Sequence, residues 1–115
     1  MQEACHIMKD GEILNEKKKE FPLFKGILYG DKILSAKLSK RIACSIKHLP
    51  LRLQFFYEED VTKALEAGIS KDPTFVLEGE IFIEGLMQAE AIEAKFKKFL
   101  LEYAQKRGKN ASTNT

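Results

Sequence analysis

The stretch KDPTFVLEGEIFIEG, from Lys71 to Gly85, decides the fold of this chain. Pro73 stands directly before four strand-forming residues, and a Glu-Gly turn separates these from a second strand-forming run. Two such runs around a glycine turn are typical of a β-hairpin. A proline has no backbone N–H to donate, so it suits the first position of a strand. The sequence therefore predicts a hairpin that begins at Pro73.

The composition is that of an ordinary globular domain. The chain has 115 residues, of which 44% are hydrophobic and 31% are charged, which predicts one domain with a substantial core. Its net charge of +2 gives no argument for nucleic-acid binding. No apolar run is long enough to cross a bilayer, and the first residues lack the pattern of a signal peptide. We therefore expect a cytoplasmic protein with no membrane partner.

Strand and helix patterns alternate before the hairpin. The apolar run Phe24–Gly30 predicts a strand that is buried on both faces. Asp31 stands where a helix N-cap belongs, and Pro50 ends that helix. Leu51–Tyr57 alternates as a strand does, and a short helix capped by Asp60 follows it. The order is therefore strand, helix, strand, helix.

The two ends of the chain carry different signals. Near the C-terminus, apolar residues at helical spacing predict a helix that packs on the sheet: Ile92, Phe96, Phe99, Leu100 and Tyr103. We expect Gly108 to end this helix and residues 108–115 to form a disordered tail. Residues 1–20 form an extension, for which a hairpin around Asp10-Gly11, disorder and an arm packed on a neighbour are all open. The domain itself is predicted to span residues 21–107.

The order of the elements predicts the architecture. A strand, a long helix and a second strand imply a right-handed parallel crossover, and the hairpin then adds two antiparallel strands. The last helix must cover one face of the resulting sheet. We therefore expect an α/β fold in the order β-α-β-α-β-β-α, with a four-stranded mixed sheet and helices on both faces.

This element order, together with the motif GISKDPTFVLEGEIFIEG, resembles the thioredoxin/glutaredoxin fold family. The nearest resemblance is to its small thioredoxin-like "redox-active disulfide" proteins, and it covers Phe24 to Tyr103. In that family a short helix ends in glycine and a proline then precedes the hairpin, as Gly68 and Pro73 do here. The resemblance implies a cis peptide bond before Pro73, and a trans proline at the start of an ordinary edge hairpin is the alternative.

The chain departs from the family at the active-site motif. The family carries Cys-x-x-Cys where the first strand meets the first helix, and these two places here hold Asp31 and Leu34. A carboxylate caps a helix but cannot attack sulfur, and a leucine cannot resolve a mixed disulfide. We therefore expect no dithiol exchange at this site, no cofactor and no metal. The sequence favours a non-enzymatic domain over an enzyme.

The remaining reactive side chains carry weaker arguments. In a cytoplasmic protein Cys5 and Cys44 are expected to be reduced, and Cys44 falls on the flank of its helix. Cys5 lies beside His6, and two neighbouring ligands cannot complete a metal site. His48 suits a helix end, where its charge would compensate the helix dipole. A thiol-dependent oxidoreductase that uses a single cysteine, Cys5 or Cys44, is the alternative function.

The expected function follows from the resemblance. The family holds an extended substrate segment between the loop that begins its first helix and the loop before the proline. The matching positions here predict a groove for a protein or peptide, formed by Tyr29, Gly30, Asp31, Lys32, Asp72 and Pro73. A homo-oligomer that works through another face is an alternative use of the domain. Nucleic-acid binding is a third alternative, through a basic surface of Lys17, Lys18, Lys19, Lys37, Lys40, Arg41 and Lys47.

Overall fold

The structure of the chain, a computed structural model, describes residues 5–113 and the side chains of residues 5–107. It is a mixed α/β fold with five strands and three helices. In chain order these are β1 (Ile13–Leu14), β2 (Leu23–Tyr29), α1 (Lys32–Ile46), β3 (Arg52–Glu58), α2 (Val61–Glu66), β4 (Thr74–Leu77), β5 (Glu80–Glu84) and α3 (Ala89–Thr113). The α/β class predicted from the sequence is confirmed.

The strands form one mixed sheet in the order β1-β3-β2-β4-β5. Strands β2 and β3 are parallel, and every other neighbouring pair is antiparallel. The sheet has five strands rather than the expected four, because Ile13 and Leu14 pair with Gln54 and Leu53 of β3. This two-residue strand is too short to leave an alternating pattern in the sequence, so only the tertiary pairing reveals it.

One face of the sheet carries the core. Along β2, the buried Phe24 and Leu28 alternate with the exposed Leu23 and Lys25. The prediction that this strand is buried on both faces is therefore wrong, because helices α1 and α3 pack against each other on the core face only. The short helix α2 buries no side chain fully and lies beside Tyr29, which belongs to the opposite face.

Helix α3 is held to the sheet by its aromatic side chains. Phe96 is fully buried, and its ring centroid lies 4.9 Å from that of Phe82 and 6.3 Å from that of Phe75. Farther along the helix, Phe99 and Tyr103 approach Phe24 edge-on, with centroids 4.9 and 5.0 Å away. The predicted apolar stripe therefore faces the sheet.

Helix α3 is longer than the sequence predicts. It continues past Gly108, where we expected it to end, as far as Thr113. A glycine inside a helix costs only about 1 kcal/mol relative to alanine, so it weakens the helix without ending it. Residues 108–113 are thus helical in the structure, and Asn114 and Thr115 lie outside the described residues.

The N-terminal region crosses the outer edge of β3 as a strap, which we define as residues Cys5–Glu12. A turn at Asp10-Gly11 is present, but the strap pairs with β3 rather than forming a hairpin of its own. The Gly11 N–H donates to the Phe55 carbonyl at 2.6 Å, and the Phe55 N–H donates to the Glu12 carbonyl at 2.9 Å. Met8 is buried at 1% exposure and belongs to the core.

A disulfide joins the strap to the middle of α1. Cys5 and Cys44 are bonded, with their Cα atoms 5.3 Å apart and a sequence separation of 39. The expectation that both cysteines are reduced is therefore wrong. The physical reason is the course of the strap, which brings Cys5 alongside the flank of α1.

The outer edge strand β5 is irregular. Phe75 pairs with Ile83 and Val76 pairs with Ile81, so Phe82 is an extra residue that forms a β-bulge. In the hairpin's other half, the Asp72–Pro73 peptide bond before β4 is cis.

Among the described residues, no helix has both the length and the apolar character needed to span a membrane.

Removal of the Phe96 ring tests the docking of α3. We expect Phe96→Ala to lower the free energy of unfolding by about 3–5 kcal/mol, because it leaves a cavity between the helix and the sheet. The exposed neighbour Lys98 provides a control, and Lys98→Ala should change the free energy by less than about 0.5 kcal/mol. Urea unfolding of both variants measures the difference. Equal stabilities would contradict the packing described above.

The environment of Tyr57 predicts a pH dependence. Burial raises the pKa of its phenol, and the nearby carboxylates of Glu12 and Asp10 add to the rise. Since the folded state favours the protonated phenol, this contribution to stability is present below about pH 10 and is lost as the pH rises through the folded pKa. Ultraviolet titration should show a tyrosine transition above its usual range that is missing in Tyr57→Phe. A wild-type curve identical to that of the variant, apart from amplitude, would contradict this.

Candidate functional site

A surface cavity lies where β2 meets α1, opposite the start of β4. It has a volume of about 550 Å³ and is lined by Tyr29, Gly30, Asp31, Lys32, Glu59, Val61, Ala64, Leu65, Ile69, Ser70, Lys71 and Asp72. We call it the groove. Five of the six predicted site residues line it, and the sixth, Pro73, is buried directly behind Gly30. The structure thus brings together two loops that are about 40 residues apart in sequence.

Asp31 caps the first helix at the floor of the groove. Its carboxylate accepts hydrogen bonds from the N–H groups of Ile33 at 3.0 Å and Leu34 at 3.1 Å. The predicted N-cap is confirmed. These two bonds occupy donors that would otherwise be available to an external anion, so part of the helix end is satisfied from within the chain.

The two loops are joined by a hydrogen bond between Asp31 and Asp72. The Asp31 N–H donates to Oδ1 of Asp72 at 2.9 Å. Gly30 makes this approach possible, since a Cβ at this position would lie 2.1 Å from the same oxygen and the backbone has φ +130°. Only glycine adopts such a backbone angle readily. The spacing between the groove's walls is therefore fixed by a contact that any side chain at position 30 would break.

Helix α2 supplies an apolar wall that the sequence reasoning missed. Val61 is 70% exposed and Leu65 is 67% exposed, and both line the groove. Ile69 is buried beneath them. The only sequence signal was the spacing of Val61 and Leu65, four residues apart on one face of a short helix. Two exposed apolar side chains beside each other are the kind of surface that a partner covers.

The loop wall offers backbone hydrogen-bonding groups. Within the described part of the chain, no hydrogen bond engages the backbone N–H or carbonyl of Ser70 or Asp72. The next residues are already paired, because the Pro73 carbonyl accepts from the Gly85 N–H at 2.7 Å. The wall before β4 can therefore pair with an incoming extended backbone.

Charges of both signs surround the groove. Its lining includes three acidic and two basic residues, all of them exposed: Asp31, Glu59, Asp72, Lys32 and Lys71. No cluster of three metal-ligating side chains occurs anywhere in the described residues. The groove therefore suits a polar, uncharged or mixed-charge segment with an apolar side chain.

Other residues considered from the sequence lie away from the groove. His48 contacts Glu93 at 2.9 Å and thereby links the end of α1 to α3. The pKa of Glu93 is lowered, first by this bond to His48 and then by Lys97. Arg41 donates to the carbonyls of Leu86 and Met87, which removes it from the proposed basic surface.

The disulfide is also remote from the groove. Cys44 follows Asp31 by 13 residues, which corresponds to about 20 Å along the axis of α1. Because the two cysteines of the chain are bonded to each other, neither offers a free thiol. A mechanism that uses a single cysteine would require prior reduction of this bond.

Replacement of Asp31 tests the cap. We expect Asp31→Ala to lower the free energy of unfolding by about 1 kcal/mol, because two helix N–H groups lose their acceptor. Asp31→Ser retains an acceptor at the same place and should recover most of that loss. The backbone bond to Asp72 is present in both variants, so the comparison isolates the side chain. Equal stability of the alanine and serine variants in urea would show that the cap contributes nothing.

The chain was compared with models of protein families, with curated proteins and with solved structures. None of the three comparisons finds a match. The function must therefore be argued from the groove itself.

Proposed function

We propose that the chain is a redox-inactive thioredoxin-like domain that binds an extended segment of a protein or peptide in the groove. The observation that carries the proposal is that one cavity has both an exposed apolar wall and a wall with unpaired backbone hydrogen-bonding groups. One wall presents the exposed side chains of Val61 and Leu65, and the facing loop presents the unpaired backbone of Ser70 and Asp72.

The thioredoxin-like assignment is supported by the arrangement of the elements. From β2 onward the order is β-α-β-α-β-β-α, with β2 and β3 parallel and β4 and β5 antiparallel. The junction of the first of these strands with α1 faces the loop before β4, through the bond between Asp31 and Asp72. This is the juxtaposition of loops on which the resemblance depends.

The proposal that the groove is redox-inactive is supported by the side chains at two positions. The position that would hold an attacking thiolate carries Asp31, whose carboxylate is engaged with the helix N–H groups. Leu34 stands where a resolving thiol would be needed. A carboxylate here keeps the negative charge that the helix end favours, without a nucleophilic sulfur.

A bound segment would be recognised mainly by its backbone and by one apolar side chain. The Asp72 N–H and carbonyl would pair with the segment as a neighbouring strand does. An apolar side chain would enter between Leu65 and the ring of Tyr29, where aromatic area contributes at low entropic cost. The Asp31 carboxylate already accepts from two N–H groups of the helix end, which disfavours a phosphate as the ligand.

Replacement of Tyr29 tests whether the groove is the peptide-binding site. A displayed library of random linear peptides, selected on the wild-type protein, supplies a ligand whose affinity can be measured by fluorescence polarisation. We expect Tyr29→Ala to reduce the binding free energy of that ligand by about 1–2 kcal/mol, the loss typical of an interface anchor. Lys97→Ala, on the outer side of α3, should leave the affinity unchanged.

Two leucines provide a matched control for the apolar wall. Leu65 in the groove and Leu101 on α3 have similar exposure, 67% and 62%. The same truncation should reduce peptide affinity at position 65 and have no effect at position 101. Equal affinities of Leu65→Ala and Leu101→Ala, or failure of every selected peptide to respond to Tyr29→Ala, would place the working surface elsewhere.

A further inference from the structure

The strap is attached to the domain in two different ways. Its second half makes noncovalent bonds: Gly11 and Glu12 pair with Phe55, and the Tyr57 N–H donates to Oδ1 of Asp10 at 3.0 Å. Met8 anchors the centre, since its side chain is buried and its N–H donates to Oγ of Ser39 at 3.3 Å. The hydroxyl of Tyr57 also donates to the Met8 carbonyl. None of these contacts involves a cysteine.

The first half of the strap, Cys5–Ile7, depends on the disulfide. Ile7 is 51% exposed, and the His6 side chain is 60% exposed. Within the described residues, the only hydrogen bond made by this half joins the His6 ring to Glu12 of the strap itself at 2.8 Å. The bond between Cys5 and Cys44 is therefore the one strong attachment of these three residues to the body of the domain.

The strap also forms one wall of a second cavity. This cavity has a volume of about 390 Å³ and includes Ile7, Met8, Ala36 and Tyr57 in its lining. It shares Lys32 and Glu59 with the groove, so the two cavities meet at the beginning of α1. The position of Ile7 consequently determines how far the open surface extends from the groove along α1.

We propose that the Cys5–Cys44 disulfide is a redox latch on the strap. A dithiol reductant breaks the bond between the two Sγ atoms, both cysteines become thiols, and the reductant is oxidised to its own disulfide with transfer of two electrons and two protons. Reduction releases Cys5–Ile7, while Met8 and the pairing with β3 hold the rest of the strap in place. The second cavity then loses the part of its wall that Ile7 forms, while Met8, Lys9 and Asp10 continue to line it, and it opens further toward solvent beside the groove.

The latch differs from a structural disulfide in how much of the domain loses its order when the bond is reduced. A disulfide that holds a domain together destabilises the whole domain when it is reduced. Here none of the core contacts or strand pairs of the strap involves a cysteine, so the order lost from the folded state on reduction should be confined to Cys5–Ile7. A longer bound segment in the reduced form is a further consequence that rests on the proposed function. The release of the strap does not depend on it.

Backbone ¹⁵N relaxation of the full chain tests the latch without any ligand. In the oxidised protein, the order parameters of His6 and Ile7 should be near the rigid value of about 0.85. After treatment with dithiothreitol they should fall below about 0.6, while those of Gly11 and Phe55 stay at the rigid value. The double variant Cys5→Ser/Cys44→Ser should reproduce the reduced pattern without reductant and should not respond to it.

Two results would overturn the proposal. Alkylation of both thiols in a parallel sample verifies that reduction is complete. If Ile7 remains rigid in the reduced protein, other contacts hold the strap and the disulfide is no latch. If Gly11 and Phe55 lose their rigidity together with Ile7, the disulfide is a structural support of the domain. Peptide binding at the groove is measured separately, so its failure would leave the relaxation result intact.

Discussion

The fit of the Phe75 ring against Gly26 is the constraint on which the rest of the structure depends. A Cβ at position 26 would lie 2.2 Å from the ring, so the space for the ring exists only because β2 carries a glycine there. The ring is fully buried, and its centroid lies 6.1 Å from that of Phe55 and 6.3 Å from that of Phe96. One side chain thus connects three neighbouring strands with the helix that covers them.

This constraint also positions the groove. Phe75 lies two residues after Pro73, and β4 is hydrogen-bonded to β2 from Tyr29↔Thr74 to Gly26↔Leu77. When the ring is seated on Gly26, the register of that pairing brings the loop before β4 to the end of β2. Asp72 then meets the Asp31 N–H across Gly30. Packing in the core therefore brings the two loops together, and the contact across Gly30 then fixes the spacing between them.

Local signals made the helices and the hairpin predictable. The caps Asp31 and Asp60 act within three residues of their own positions, and the Glu-Gly turn joins adjacent strands. Five of the twelve residues that line the groove could be predicted from the resemblance, because they belong to the ends of such elements. The apolar wall could not be predicted. The exposure of Val61 and Leu65 depends on whether another part of the chain packs over α2, and the sequence of α2 alone does not show this.

The N-terminal region could not be predicted for a different reason. Its strand β1 has two residues, and the course of the strap is set by pairing with β3, more than 40 residues away. Two cysteines separated by 39 residues carry no information about their distance in space. Similarly, Gly108 predicts a helix end from its own preference, but the preceding turns of α3 are already held on the sheet by Phe99 and Tyr103.

The edges of the sheet have a consequence for self-association. The strap occupies the outer side of β3, and at the opposite edge β5 carries a bulge between two glutamates, Glu80 and Glu84. Antiparallel contact between two copies of β5 would set Glu80 of one copy opposite Glu84 of the other and would align a bulge with a bulge. Continuation of the sheet from one copy to the next through two β5 strands is thereby discouraged.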